Sequence, residues 1–261
     1  MAPRPPRRLR RVVNAGFALA MLIVGLALLL RDDVPDMLPG LCPAVDASPR
    51  YDQLERDDWL AVAAVFADIQ GERDFTGWSM DTLAAELEAR GFRASRSGRY
   101  ERTDAIVDLI GPLEDDGETV EAALQAALAS HTVVYYNGHA YGGELALSPP
   151  DAYRIVMLDS CWSAQHYGHL SDRVDLIANT ERAITGSIYS LVGLLDGLLG
   201  GLLARRHASW PELLAPLNAD ARDRAKLRPQ SRYPDPERYG LVGPCTHPLD
   251  ASRARVVPSS P

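Results

Sequence analysis

The chain has 261 residues, 46% of them hydrophobic and 24% charged, with a net charge of -8. This is an ordinary globular balance, enough for one sizeable domain plus extensions. The acidic surplus, with no basic stripe beyond the N-terminus, argues against a nucleic-acid partner.

Residues 1–11 form a basic tail with Arg4, Arg7, Arg8, Arg10 and Arg11 and no acidic residue. Val12 to Leu30 follows as nineteen uncharged residues, closed by Arg31-Asp32-Asp33. As a helix rising about 1.5 Å per residue, it nearly spans a hydrocarbon core of roughly 30 Å. No small-x-small cleavage pattern closes it, and Leu41 before Cys42 rules out a lipobox, so it reads as a retained membrane anchor. The Arg cluster predicts a cytoplasmic N-terminus, with the rest of the chain outside the cytoplasm. Residues 31–50, with Pro35, Pro39, Gly40, Pro43 and Pro49, read as a linker. The three cysteines are Cys42, Cys161 and Cys245. In an exported domain Cys42 and Cys245 can pair and leave Cys161 as the odd thiol; three unlinked thiols are the alternative.

The domain proper is placed at 51–210. Asp57–Ile69 is either a helix running into a strand or a first buried strand. From Ser79, the positions Met80, Leu83, Ala84 and Leu87 share one helical face, and Gly91 supplies the stop. Phe92–Ser97 reads as a short strand. Thr103–Leu113 reads as a helix, with Ile106, Ile110 and Leu113 on one face, and Thr119–Ser130 as another. Thr132–Tyr136 and Tyr153–Leu158 are rich in Val, Ile and Tyr and bounded by Gly and Pro, the pattern of buried strands. Asp172–Asn179 is a further strand. Ala183–Ala204 has one charge, Asp196, in twenty-two residues. It is a second membrane span or a helix buried against a sheet, and the central Asp favours the buried helix. Residues 211–261 read as an irregular tail rich in Pro and Arg. Strand–helix alternation predicts an α/β fold with a mostly parallel sheet between helical layers, preceded by the transmembrane helix.

Chemistry concentrates between Val133 and Ser163. Each of the two strands stops at a reactive side chain, His139 after the first and Cys161 after the second. Ligands and chemistry gather at the carboxyl ends of parallel strands, so the pair can meet there as nucleophile and base. A thiolate is the attacking species, and an imidazole can take its proton and return it to a leaving amine. Backbone N–H groups of Cys161 and of the Gly138-His139-Ala140 turn are the candidate oxyanion donors. Gly138, Gly142 and Gly143 would let backbone approach a substrate. Asp159, two residues before Cys161, either lies beside it on the same side of the strand or caps a helix starting near Ser163. Tyr141 and Trp162 are cleft walls or core aromatics. His166-x-x-His169 with Cys161 lacks further ligands, so no metal or cofactor is expected. Ser160, Ser163 and Ser187 lack a G-x-S-x-G elbow. Asp115, Asp116 and Glu118 read as a solvated turn.

The segment YNGHAYGG resembles the [Y]-S-G-H-G stretch of caspase-like cysteine peptidases, and LDSCWS resembles the D-S-C-H-S stretch of metacaspases. The order of elements over about Trp59 to Leu203 is similar too. The resemblance implies a caspase-like three-layer sandwich and hydrolysis of peptide bonds in a protein or peptide substrate. By position Cys161 matches the nucleophile, His139 the general base, and Asp159 a substrate-binding carboxylate for Arg or Lys. Ala140 stands where the family has Gly, Trp162 where metacaspases have His, and the His-to-Cys separation of twenty-two residues is short. The expected function is a membrane-anchored cysteine endopeptidase. The alternative is a catalytically weak caspase-like domain acting as a binding or scaffold module.

Overall fold

The computed structural model describes residues 41–42, 48–54, 59–68, 73–179, 188–204, 207–227 and 239–242. The Val12–Leu30 anchor, the placement of the domain outside the cytoplasm and Cys245 with its pairing to Cys42 lie outside the described residues. Strands are β1 (Leu41–Cys42), β2 (Leu60–Ala67), β3 (Arg93–Arg96), β4 (Arg99–Arg102), β5 (Ala105–Leu113), β6 (Val133–Asn137), β7 (Ile155–Asp159), β8 (Asp175–Asn179) and β9 (Tyr239–Val242). Helices are α1 (Tyr51–Leu54), α2 (Arg73–Ala89), α3 (Gly117–Ser130), α4 (Ser163–Tyr167), α5 (Ile188–Ala204) and α6 (Trp210–Leu227).

The strands form one sheet in the order β1-β9-β8-β7-β6-β2-β5-β4-β3. Its centre, β8-β7-β6-β2-β5, is parallel, and antiparallel strands flank it on both sides. The parallel strands begin at β2, step one way to β5, then cross back to β6 and continue outward. Right-handed crossovers in opposite directions put their helices on opposite faces. The two apolar cores follow that rule. Leu83 and Leu87 of α2, Leu191 and Leu198 of α5, and Trp210 and Leu217 of α6 pack on Val62, Phe66, Tyr135 and Met157. Val120 and Leu124 of α3, with Ala164 and Tyr167 of α4, pack on Val65, Val134, Tyr136 and Leu158. Alternate residues of β2, β6 and β7 therefore serve opposite layers, and these strands are buried on both faces, as parallel strands sandwiched by helices are. The expected α/β architecture, with helices on both sides of a mostly parallel sheet, is present.

Several expectations need correction. Thr103–Leu113 is not a helix: Ala105–Leu113 is strand β5, paired in parallel with β2. Ile106-Val107 is a β-branched pair, and Gly111-Pro112 is hostile to a helix interior, so the Ile106/Ile110 spacing is no evidence of a helix here. The antiparallel β3–β4 hairpin turns at Gly98 and carries Arg93 and Arg96 exposed on the sheet edge, where charge discourages further strand pairing. The region assigned to a linker holds β1, and the region assigned to an irregular tail holds most of α6 and all of β9, both joined to the same domain. The tail's Pro and Arg content hid Leu213, Leu214 and Leu217, which with Trp210 have helical spacing and are buried against α5.

Within that stretch Ile188–Ala204 is helix α5, packed into the domain, and among the described residues no helix is long and apolar enough to cross a membrane. Three of its four glycines, Gly193, Gly197 and Gly201, have a packing reason. A Cβ on Gly193 would lie 2.7 Å from Pro216 Cβ, and one on Gly201 would lie 2.9 Å from the Tyr51 ring. The bare stripe lets α6 and α1 approach the helix backbone. Asp196 stays exposed and pairs with Arg90 at 2.9 Å.

Candidate active site

The chain reverses its direction of travel across the sheet between β2 and β6, and a crevice at the carboxyl ends of the strands is expected there. Four neighbouring parallel strands deliver polar residues to that edge: β5 is followed by Asp115, β2 by Asp68, β6 by His139 and β7 by Cys161. Asn137 and Asp159 are register partners at the ends of β6 and β7. His139 and Cys161 each lie two residues beyond that pair, so the two predicted reactive residues emerge from adjacent strands at the same level.

The loop after β6 is held by tyrosines. Tyr136 donates its hydroxyl to the His139 carbonyl at 2.8 Å, and Tyr167 donates to the Ala140 carbonyl. Burial pushes the Tyr136 phenol well above its usual range and raises Tyr167 to about 12, so both remain hydroxyl donors. Gly138 is required by packing: a Cβ there would lie 2.3 Å from the Tyr136 hydroxyl and 2.8 Å from Ala67 Cβ. Tyr141–Gly143 forms one 3-10 turn, in which Gly143 has φ +86° and seats the His166 ring; burial holds that imidazole below its usual range.

Two non-glycine residues among those described have positive φ, Tyr141 at 47° and Trp162 at 50°. One lies two residues after His139 and the other directly follows Cys161. Such conformations cost about 1–3 kcal/mol each and gather where a loop is held for a purpose. After β7 the extended chain ends. Ser163 Oγ donates to the Leu158 carbonyl at 2.7 Å and closes the turn that carries Cys161 and Trp162. Both residues are half-buried, and Cys161 packs against the apolar core shared with α3 and α4.

Asp159 belongs to the other layer. It is 1% exposed, and its Oδ2 accepts from Tyr135 Oη at 3.1 Å and from Asn137 Nδ2 at 3.0 Å. The alternation that would set it alongside Cys161 does not extend past the strand end, because Cys161 sits in a turn. Nor is Asp159 the cap of α4: the N-cap position is Trp162, in the left-handed conformation and without a side-chain cap bond. Asp68, which no motif singled out, is buried at the end of β2, two residues beyond the Phe66 that is paired with Asn137.

The two aspartates before α3 play different parts. Asp116 caps α3 by accepting from the Thr119 N–H at 2.8 Å, whereas Asp115 turns to the loop after β6. Tyr141 Oη donates to Asp115 Oδ1 at 2.8 Å, and His139 Nε2 lies 3.9 Å from Asp115 Oδ2. The His139 and Tyr141 rings meet edge-on at 6.2 Å. Nothing in a DD pair before a helix tells which carboxylate will cap and which will point elsewhere. Among the described residues no group of three or more His, Cys, Asp or Glu side chains is placed to hold a metal ion.

Comparison with protein-family models, curated proteins and solved structures finds no match to this chain.

Proposed function

We propose that this chain is a caspase-like cysteine endopeptidase, with Cys161 as nucleophile and His139 as its base. The observation that carries the reading is the delivery of these two side chains from adjacent parallel strands at one level, each within two residues of a strained non-glycine residue. His139 takes the Cys161 proton, and the thiolate adds to the scissile carbonyl. N–H groups of Cys161 and of the Gly138–Ala140 turn stabilise the oxyanion. As the C–N bond breaks, the imidazolium returns the proton to the leaving amine, leaving a thioester. Water, deprotonated by His139, then releases the acid and restores the thiol. Asp159 is the carboxylate that the resemblance assigns to an Arg or Lys side chain of the substrate. Val12–Leu30 anchors the protein in a membrane, with this domain outside the cytoplasm.

A second reading, a binding module with little catalysis, draws support from the burial of Asp159 beneath Tyr135 and Asn137. Fluorogenic peptides ending in Arg, Lys, Asp or Asn, offered to the full chain and to Cys161→Ala, separate the two. Cleavage after Arg or Lys that the substitution abolishes is the expected result. Cleavage after another residue keeps the peptidase and removes Asp159 from its role. No cleavage by a folded wild-type chain selects the binding module.

A further inference from the structure

We infer that Asp115 is a positioning residue for His139, clamped for that task by Tyr141; the inference rests on the peptidase reading above. The two oxygens of one carboxylate are divided between two residues of one loop, with Tyr141 Oη 2.8 Å from Oδ1 and His139 Nε2 3.9 Å from Oδ2. Tyr141 reaches Asp115 from a positive-φ backbone that the surrounding bonds hold in place: Gly143 N–H to the Ala140 carbonyl at 3.0 Å and Glu144 N–H to the Tyr141 carbonyl at 2.9 Å. The strained turn therefore fixes the rotation of Asp115 and aims its second oxygen at the imidazole.

A carboxylate on the Nε2 side favours the tautomer protonated there and leaves Nδ1 as the base; it also stabilises the imidazolium once the thiol proton has moved. At 3.9 Å the pair lies beyond hydrogen-bond length, and catalytic contacts of this kind shorten when substrate binds. The neighbouring carboxylates are engaged elsewhere. Asp116 caps α3, and Asp159 is held by Tyr135 and Asn137 in the opposite layer.

The test needs no substrate. Iodoacetamide alkylation of Cys161 in the full chain is followed against pH by mass spectrometry of the peptide containing it. The titratable groups around these loops are Asp115, Asp116, His139, Tyr141, Glu144, Cys161, His166 and Tyr167, with Tyr136 packed beneath them, and each variant changes one. Imidazolium at His139 favours the thiolate, so the wild-type inflection should fall below the ordinary thiol value of about 8.5. His139→Ala should return it toward that value. Asp115→Asn should move it upward by about half a unit to one unit, a three- to ten-fold loss of rate at fixed pH below it. Tyr141→Phe should follow partway, and Asp115→Glu should recover part of the loss. An Asp115→Asn profile matching wild type, with His139→Ala still shifted, overturns the positioning role and leaves the dyad standing. An inflection that His139→Ala does not move overturns both. Should Asp115→Asn lose its circular dichroism spectrum, Tyr141→Phe decides by the same criterion.

Discussion

Asn137 and Asp159 face each other across adjacent parallel strands, and the amide of one donates to the carboxylate of the other at 3.0 Å. Tyr135 donates to the same oxygen at 3.1 Å. Replacing Asn137 with Leu strips a donor from a carboxylate that is already out of water. The expected cost is about 1–3 kcal/mol, read as a lower urea midpoint with an unchanged slope. An unchanged midpoint would mean that Asp159 does not depend on the amide.

Asp159 also offers a functional readout. Asp159→Asn keeps the shape and both partners but removes the charge. In the proposed peptidase it should abolish cleavage after Arg or Lys while leaving alkylation of Cys161 within about two-fold of wild type. Equal loss of both would assign Asp159 to the architecture of the site and take away its role in specificity.

Gly138 tests how closely the loop after β6 is tied to the core. Gly138→Ala sets a methyl against Tyr136 and Ala67. Overpacking of this kind costs about 1–3 kcal/mol, and here the displaced hydroxyl also holds the His139 carbonyl. A drop in melting temperature together with slowed alkylation of Cys161 is expected. Slowed alkylation alone, at unchanged stability, would show that the loop moves without disturbing the core.

The glycines of α5 should respond in graded fashion. At Gly193 an added Cβ meets the rigid Pro216 ring at 2.7 Å, and at Gly197 it meets the tip of Leu213 at 2.3 Å. The Leu side chain can rotate away and the ring cannot, so Gly193→Ala should destabilise more than Gly197→Ala. Nothing lies within 4 Å of a Cβ at Gly200. Gly200→Ala should therefore stabilise by roughly 0.5–1 kcal/mol through helix propensity. Urea denaturation of the three variants gives the ranking directly.

Stability should also carry a signature of Asp108 on β5. A two-pronged hydrogen bond from Arg99, and a second bond from His131, hold its carboxyl below the usual range. A depressed folded-state pKa gives stability that is complete above the unfolded value, near 3.9, and is lost as pH falls through the folded value. The wild-type urea midpoint should thus fall with pH below about 4 by more than that of Asp108→Asn. Parallel curves would assign the acid sensitivity to other carboxylates.

Much of this architecture was legible in the residues themselves. The predicted strands Thr132–Tyr136 and Tyr153–Leu158 lie within a residue or two of β6 and β7, because a strand buried on both faces must be apolar at nearly every position. The stop at Gly91 was readable for a similarly local reason, whereas the residues before β2 left helix and strand open. The placing of His139 and Cys161 at two strand ends follows directly from that pattern.

The tertiary structure decided what depends on partners distant in the chain. Whether Thr103–Leu113 would be helix or strand turned on β2 lying beside it, since its apolar spacing suits either period. Trp210 to Leu217 became a helix with a buried face because the glycine stripe of α5 receives it. The roles of Asp115, Asp116 and Asp159 were fixed by which donors reached each carboxylate: Tyr141, the Thr119 N–H, and the Tyr135–Asn137 pair. A carboxylate carries no mark of its partner in sequence. Local preference sets where strands and helices form, but hydrogen-bond geometry between loops belongs to the folded chain alone.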